Sequence, residues 1–254
     1  MMSRPLLGAL GAFASLLLVS GATHAALVIT SGAFIGSGGA GTGESLASDR
    51  FRSFQPTGGD ENYLGVPSLG NAANRVAQQL NWMTDPSNPL TSFDFTFQYD
   101  QANDRLVSTI LGGTLTYNNW SAQLVPLLKT KGAADLNAFQ ISIGNRDLNS
   151  NVYLTNLVLD GIAVGDFSTP NSSFANWLIT GSDMNLTDGF TLTGKLWLQG
   201  PFSTSQENSV VNLTAGWDSR GVPPAPPVPL PAAAWLLVSG LAGLGLVGRR
   251  RKAS

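Results

Sequence analysis

Residues 93–99 alternate without a break: Phe93, Phe95, Phe97 and Tyr99 are separated by Asp94, Thr96 and Gln98. On a helix these four rings would fall on two opposite sides, whereas a strand, with its period of two, puts all of them on one face. A strand that is aromatic on one face and polar on the other has to lay its aromatic face against a second layer. The same period recurs along the chain. Phe139, Ile141 and Ile143 alternate, and so do Val211, Leu213, Ala215 and Trp217. Leu157 and Leu159 run into Asp160 and Gly161, with Ile162 and Val164 beyond them, which is a strong hairpin signal. Residues 106–117 read as two strands separated at Gly112 and Gly113, and Phe190, Leu192, Leu196 and Leu198 mark another strand.

Many short strands joined by Gly, Asn and Asp turns predict an all-β fold. The expected form is an antiparallel β-sandwich or jelly-roll-like domain over residues 26–221, without internal repeats. Only two short helical features are expected, over 72–82 and as a turn near Ala133. Residues 35–75, rich in Gly and Ser with little periodicity, read as a long loop.

Charge bears on partners. Residues 26–221 keep nine of the 14 Lys and Arg and all 16 Asp and Glu, a net charge of about −7. An acidic domain offers no basic face to phosphates, so nucleic acid is excluded as a partner. The chain has no Cys, and its one His is His24. Disulfides, thiolate nucleophiles and Cys-based zinc sites are therefore excluded, and beyond residue 25 so are Ser-His-Asp, Cys-His and His-ligated metal arrangements.

The two ends read as targeting segments. Arg4 and an apolar stretch over 6–19 are followed by Ala22, Thr23, His24 and Ala25, which set small residues at the two positions a signal peptidase needs. Residues 1–25 are thus read as a secretory signal peptide cleaved after Ala25, and His24 would be lost with it. The apolar stretch is too short for a membrane span. At the other end a Pro-rich linker over 222–231 leads into Val228, Pro229, Leu230 and Pro231. An apolar segment over 232–248 follows, and then the basic cluster Arg249, Arg250, Arg251 and Lys252. As a helix, the apolar part is roughly 25 Å long, just enough to cross a bilayer. The basic cluster would stay cytoplasmic, which places the domain outside.

The order of motif, short apolar helix and Arg cluster over 229–252 resembles the PEP-CTERM sorting domain. The run from Val228 through Trp235 to Leu237 and the Gly-rich stretch from Ser239 to Gly245 carry the likeness; it departs at Leu230, where the family's name residue is Glu. The resemblance implies a Gram-negative host in which signal peptidase and an exosortase process the chain. The helix would hold it transiently in the inner membrane before release to the cell surface or extracellular matrix, with exopolysaccharide as an associated partner. Residues 93–100 and 154–161 resemble the exported β-rich domains of the choice-of-anchor type, which carry no activity across.

The expected function is thus a non-enzymatic, exosortase-processed surface or matrix protein of a biofilm, without cofactors. The alternative is a lectin-like carbohydrate-binding module. Glu44, Glu61 and Glu207, the only Glu residues, read as loop carboxylates rather than a glycosidase pair. Asp147, Asn149 and Asn151 have the spacing of the first ligands of a calcium loop, but Val152 and Val158 stand where that loop needs Gly and Glu. Those residues read instead as a turn held by Asx side chains, and no metal is expected. Of Trp120, Trp177, Trp197 and Trp217, the alternation puts Trp217 in the core and turns Trp197 outward, where a ring can stack on a sugar.

Overall fold

The computed structural model describes residues 27–36, 43–53, 60–80, 91–133, 135–145, 151–169, 173–181, 183–199 and 209–222. The signal-peptide segment with Ala25, the sorting segment over 228–252, and Glu207, Asp147 and Asn149 lie outside the described residues.

Two antiparallel sheets form the domain. The seven-stranded sheet has the order β1 (Val28–Ser31), β11 (Phe174–Thr180), β8 (Ala138–Asn145), β13 (Ser209–Asp218), β2 (Gly43–Ser53), β3 (Asp60–Gly65) and β4 (Arg75–Leu80). The six-stranded sheet has the order β10 (Ile162–Thr169), β9 (Asn151–Leu159), β12 (Phe190–Gln199), β5 (Thr91–Asp100), β6 (Arg105–Ile110) and β7 (Gly113–Asn118). One helix, α1 (Ser121–Lys131), connects the second sheet back to the first.

The aromatic alternation of residues 93–99 sits where a strand period puts it. In β5, Phe95, Phe97 and Tyr99 are buried, while Asp94 is exposed. Their partners come from both sheets. The Phe95 ring lies 5.4 Å from that of Phe51 in β2, and Phe97 lies 6.0 Å from Phe139 in β8 and 5.0 Å from Phe190 in β12. Each fully buried Phe contributes about 1.5–3 kcal/mol by leaving water, so these rings clamp the two sheets face to face. Gly194 shows how tight the fit is: a Cβ there would stand 2.2 Å from Leu157 Cδ2 and 3.2 Å from the Phe95 ring. The predicted hairpin forms as well, with Asp160 and Gly161 at φ of 50° and 82° between β9 and β10.

Three expectations are corrected. The stretch read as a loop over 35–75 contains β2 and β3, and β2 is an interior strand of its sheet between β13 and β3. Its inward face carries Ala47, Asp49 and Phe51, and that of β3 carries Asn62 and Leu64. Buried polar residues at core positions erase the apolar period that would have announced these strands. The helix expected over 72–82 is a single 3-10 turn (Ala72–Asn74) followed by β4, whose Leu80 is buried; residues 81 and 82 lie outside the described residues. Pairing with β3 satisfies the backbone groups that a lone short helix would leave at its ends.

The third correction is α1, expected only as a turn near Ala133. Pro126 lies inside it and reads as a breaker, and its N-terminus is capped from a distance. The Asp104 carboxylate accepts from both the Ser121 amide and the Ser121 hydroxyl, at 2.7 Å each. Lys129 and Lys131 in the last turn and left-handed Gly132 close the other end. Trp120, fully buried at the start of the helix, meets Tyr99 edge-on at 4.4 Å and donates its indole N–H to the Leu46 carbonyl at 3.2 Å. No helix among the described residues is long and apolar enough to cross a membrane.

Candidate functional site

A groove of about 630 Å³ lies on the outer face of the seven-stranded sheet. Its floor is set by strand alternation: where Phe139, Ile141, Leu213 and Phe51 point into the core, the residues between them point out. Gln140 and Ser142 of β8, Asn212 and Thr214 of β13, and Ser48 and Arg50 of β2 therefore form three adjacent polar rows. The Gln140 amide donates to the Ser142 hydroxyl at 2.7 Å, and the hydroxyls of Ser48 and Thr214 are 3.4 Å apart.

One wall is aromatic. Phe34 and Phe174 stack with centroids 6.4 Å apart and planes 21° apart, and both are substantially exposed, at 41% and 59%. Phe34 belongs to the segment 32–36, which crosses the sheet and covers Ala138 and Leu178 with Ala33 and Ile35. The Gly32 amide donates to the Asn176 carbonyl at 2.8 Å, the Ile35 amide to the Gln140 side chain at 2.8 Å, and the Gly36 amide to the Asp218 carboxylate at 3.0 Å. Arg220 bonds to both Asp218 oxygens at 2.7 Å and also to the Phe34 carbonyl. Burial pushes the Asp218 carboxyl up, but the bonds from Arg220 and Gly36 outweigh it and hold the carboxyl below the usual carboxylate range. The opposite wall is the turn 67–70, where Asn74 donates to the Pro67 carbonyl at 3.0 Å and Arg75 donates to that of Leu69.

The other sheet presents a shallower feature. Trp197 of β12 and Tyr153 of β9 are register partners on the outer face, beside Thr155 and Gln199, around a depression of about 270 Å³. The Trp197 indole donates to Thr155 at 2.8 Å, and the Tyr153 hydroxyl donates to the Gln199 side-chain oxygen at 3.0 Å. Trp197 thus faces outward, half-buried. Trp120 and Trp217 are core, and Trp177 packs against Phe167 at 4.7 Å.

Between the sheets lies a polar cluster that the sequence did not announce. Asp49, Asn62 and Ser108 are all fully buried, and the Asn62 amide donates to Ser108 at 2.8 Å. Neither Asp49 carboxyl oxygen has a hydrogen-bond partner, nor has the Asn62 side-chain oxygen. Burial raises the Asp49 carboxyl well above the usual range, and the nearby Ser108 hydroxyl and Arg50 amide offset this only in part.

Glu44 and Glu61, read as loop carboxylates, lie instead on β2 and β3, and they do not converge. Glu44 pairs with Lys131 at 3.5 Å, and Glu61 is engaged by Arg52 at 3.4 Å, by Gln79 at 2.9 Å and by the Tyr63 hydroxyl. Glu61 faces Arg52 across the ladder, eight residues along β2 from Glu44. That is about 26 Å at strand rise, far beyond the reach of a glycosidase pair. Asn151 bonds to Gln199 at 3.1 Å. Among the described residues no cluster of three metal-ligating side chains occurs, and none of them brings a carboxylate to the lining of the groove. No protein-family model matches the chain, and no curated protein matches its sequence.

Proposed function

We propose that this chain is an exported, exosortase-processed surface or extracellular-matrix protein of a Gram-negative bacterium, non-enzymatic and associated with exopolysaccharide in a biofilm. The observation that carries this reading is the uninterrupted order of Val228 to Pro231, the apolar segment 232–248 and Arg249 to Lys252. Signal peptidase would cut after Ala25. The apolar helix would hold the chain in the inner membrane, with the basic cluster inside and residues 229–231 outside. Small residues along the helix (Ala232 to Ala234, Gly240, Gly243 and Gly245) would let it pack closely against the helices of a membrane protease. Residues 26–221 are then the exported domain, for which a jelly-roll-like sandwich is the finer architecture we assign. A binding rather than catalytic role is supported by the groove's hydroxyl, amide and aromatic lining.

The test is processing in the host. Wild-type cells should release protein lacking residues beyond the sorting motif, and cells without the exosortase should keep the full-length chain in the inner membrane. Full-length tail on the mature protein of wild-type cells refutes the sorting reading and leaves a permanent anchor. A second reading, a lectin-like module, is favoured by the juxtaposition of Phe34 and Phe174 with a polar floor.

A further inference from the structure

We infer that the groove over β8, β13 and β2 binds a short run of an uncharged polysaccharide, with Phe34 and Phe174 as the stacking wall and Asn212, Thr214, Ser48 and Gln140 as the hydrogen-bonding floor. The inference deepens the lectin-like reading, on which it rests, and moves the sugar site from Trp197 to the opposite sheet. Three observations carry it.

The first is chemistry. A pyranose ring has apolar C–H faces and an equatorial rim of hydroxyls, each both donor and acceptor. It is matched by a ring face beside groups of mixed donor and acceptor character. The groove offers this combination, with hydroxyls and amides predominating over charge, and an apolar ligand would leave that floor desolvated without partners.

The second is shape and order. The volume, about 630 Å³, lies in the range of small-molecule sites. From β11 to β2 the sheet spans three strand spacings, about 14 Å, so the floor takes more than one sugar ring. Both walls are pinned before any ligand arrives: the 32–36 segment by Gln140, Asp218 and Arg220, and the 67–70 turn by Asn74 and Arg75. Binding therefore requires little ordering of the protein.

The third is field. Arg50 is the one charged side chain among the described residues lining the groove. That is too little to hold a polyanion against the domain's net charge of about −7, so a neutral chain is favoured over a uronate or sulfated one.

The experiment uses the full-length chain in detergent micelles on an array of dextran, xylan and cello-oligosaccharides, with alginate as the acidic arm. Retention on at least one neutral glycan is expected, about five- to tenfold weaker for Phe174→Ala, as loss of one ring contact implies. Asn212→Ala should weaken it too, and Trp197→Ala should leave it unchanged. Phe174 is largely exposed and Asn212 partly so, so neither substitution removes core. The inference is overturned if no neutral glycan is retained, if alginate is retained instead, or if Trp197→Ala abolishes binding while Phe174→Ala does not. Tail processing is read separately: a permanent anchor would leave a positive glycan result standing, and a negative array would leave the sorting reading standing.

Discussion

Asp49 should make this domain less stable as the pH rises from acid towards neutral, and Asp49→Asn should remove that dependence. The carboxyl sits on the inward face of β2, opposite Leu64 of β3 and Leu213 of β13, all three with no exposed surface. Its oxygens have no hydrogen-bond partner, and burial raises its pKa well above the usual value. In the unfolded chain the group ionises near pH 3.9. Below that pH both states hold the proton, so Asp49 adds no pH dependence, although burying its unpartnered carboxyl still costs desolvation. Above it the unfolded chain releases the proton while the folded domain keeps it, so stability falls by about 1.4 kcal/mol per pH unit until the folded pKa is passed. Asn has the same shape and cannot ionise, so the variant gains what the wild type loses. Each kcal/mol recovered near pH 7 should raise Tm by about 2–4 °C for a domain of this size.

The assay is urea denaturation of both proteins from pH 3 to pH 8, followed by Trp fluorescence. The difference between the two curves isolates Asp49 from the other titrating carboxyls. Burial also raises Asp160, whereas Asp100 and Asp218 are held low by their partners and lose stability in acid. The variant should match the wild type at pH 3 and exceed it at pH 7. Parallel curves, or a variant weaker at pH 7, would mean that the carboxylate is charged and partnered, and the reasoning fails.

Two further outcomes follow from the packing. Gly194→Val should cost roughly 1–3 kcal/mol, because its Cβ would meet Leu157 at 2.2 Å; an unchanged denaturation midpoint would show that β9 yields freely. Arg220→Ala should speed hydrogen exchange at the amides of Ile35 and Gly36 without exposing β8, and should flatten the acid-side loss of stability contributed by Asp218. Unchanged exchange at these two amides would show that Gln140 and Asp218 hold the segment without Arg220.

The parts of this fold legible in the sequence are those whose core positions are apolar. Phe95, Phe97 and Tyr99, Ile141 and Ile143, and Val211 to Trp217 announced their strands because hydrophobic burial and the period of two agree there. β2 and β3 were invisible because Asp49 and Asn62 occupy core positions, and α1 because its cap, Asp104, lies 17 residues upstream of Ser121. The floor of the groove was legible only residue by residue. Gln140, Ser142, Asn212 and Thr214 each read as the solvated half of an alternation, and nothing local says that β8, β13 and β2 lie side by side. Adjacency of strands is a property of the whole chain.

That property ties the groove to the order in which the chain emerges. β13, the last strand in sequence among the described residues, lies inside its sheet between β8 and β2. Until it inserts, β8 and β2 are open edges, each presenting unpaired N–H and C=O groups to any other chain. The groove is unfinished at that stage as well. Asn212 and Thr214 are absent from its floor, and Asp218, which holds Gly36 across 182 residues, is not yet in place to fix the Phe34 wall. Such long-range closure is slow relative to local pairing. On the proposed sorting reading the tail, over 229–252, follows β13 after a short linker, so the chain would still be held at the membrane when that strand becomes free to pair. Such tethering would separate neighbouring chains while their sheet edges are exposed, and release by the exosortase would follow completion of the sheet. On that reading, a transient anchor joined to an interior strand through the Pro-rich linker would protect the step at which β8 and β2 are open edges.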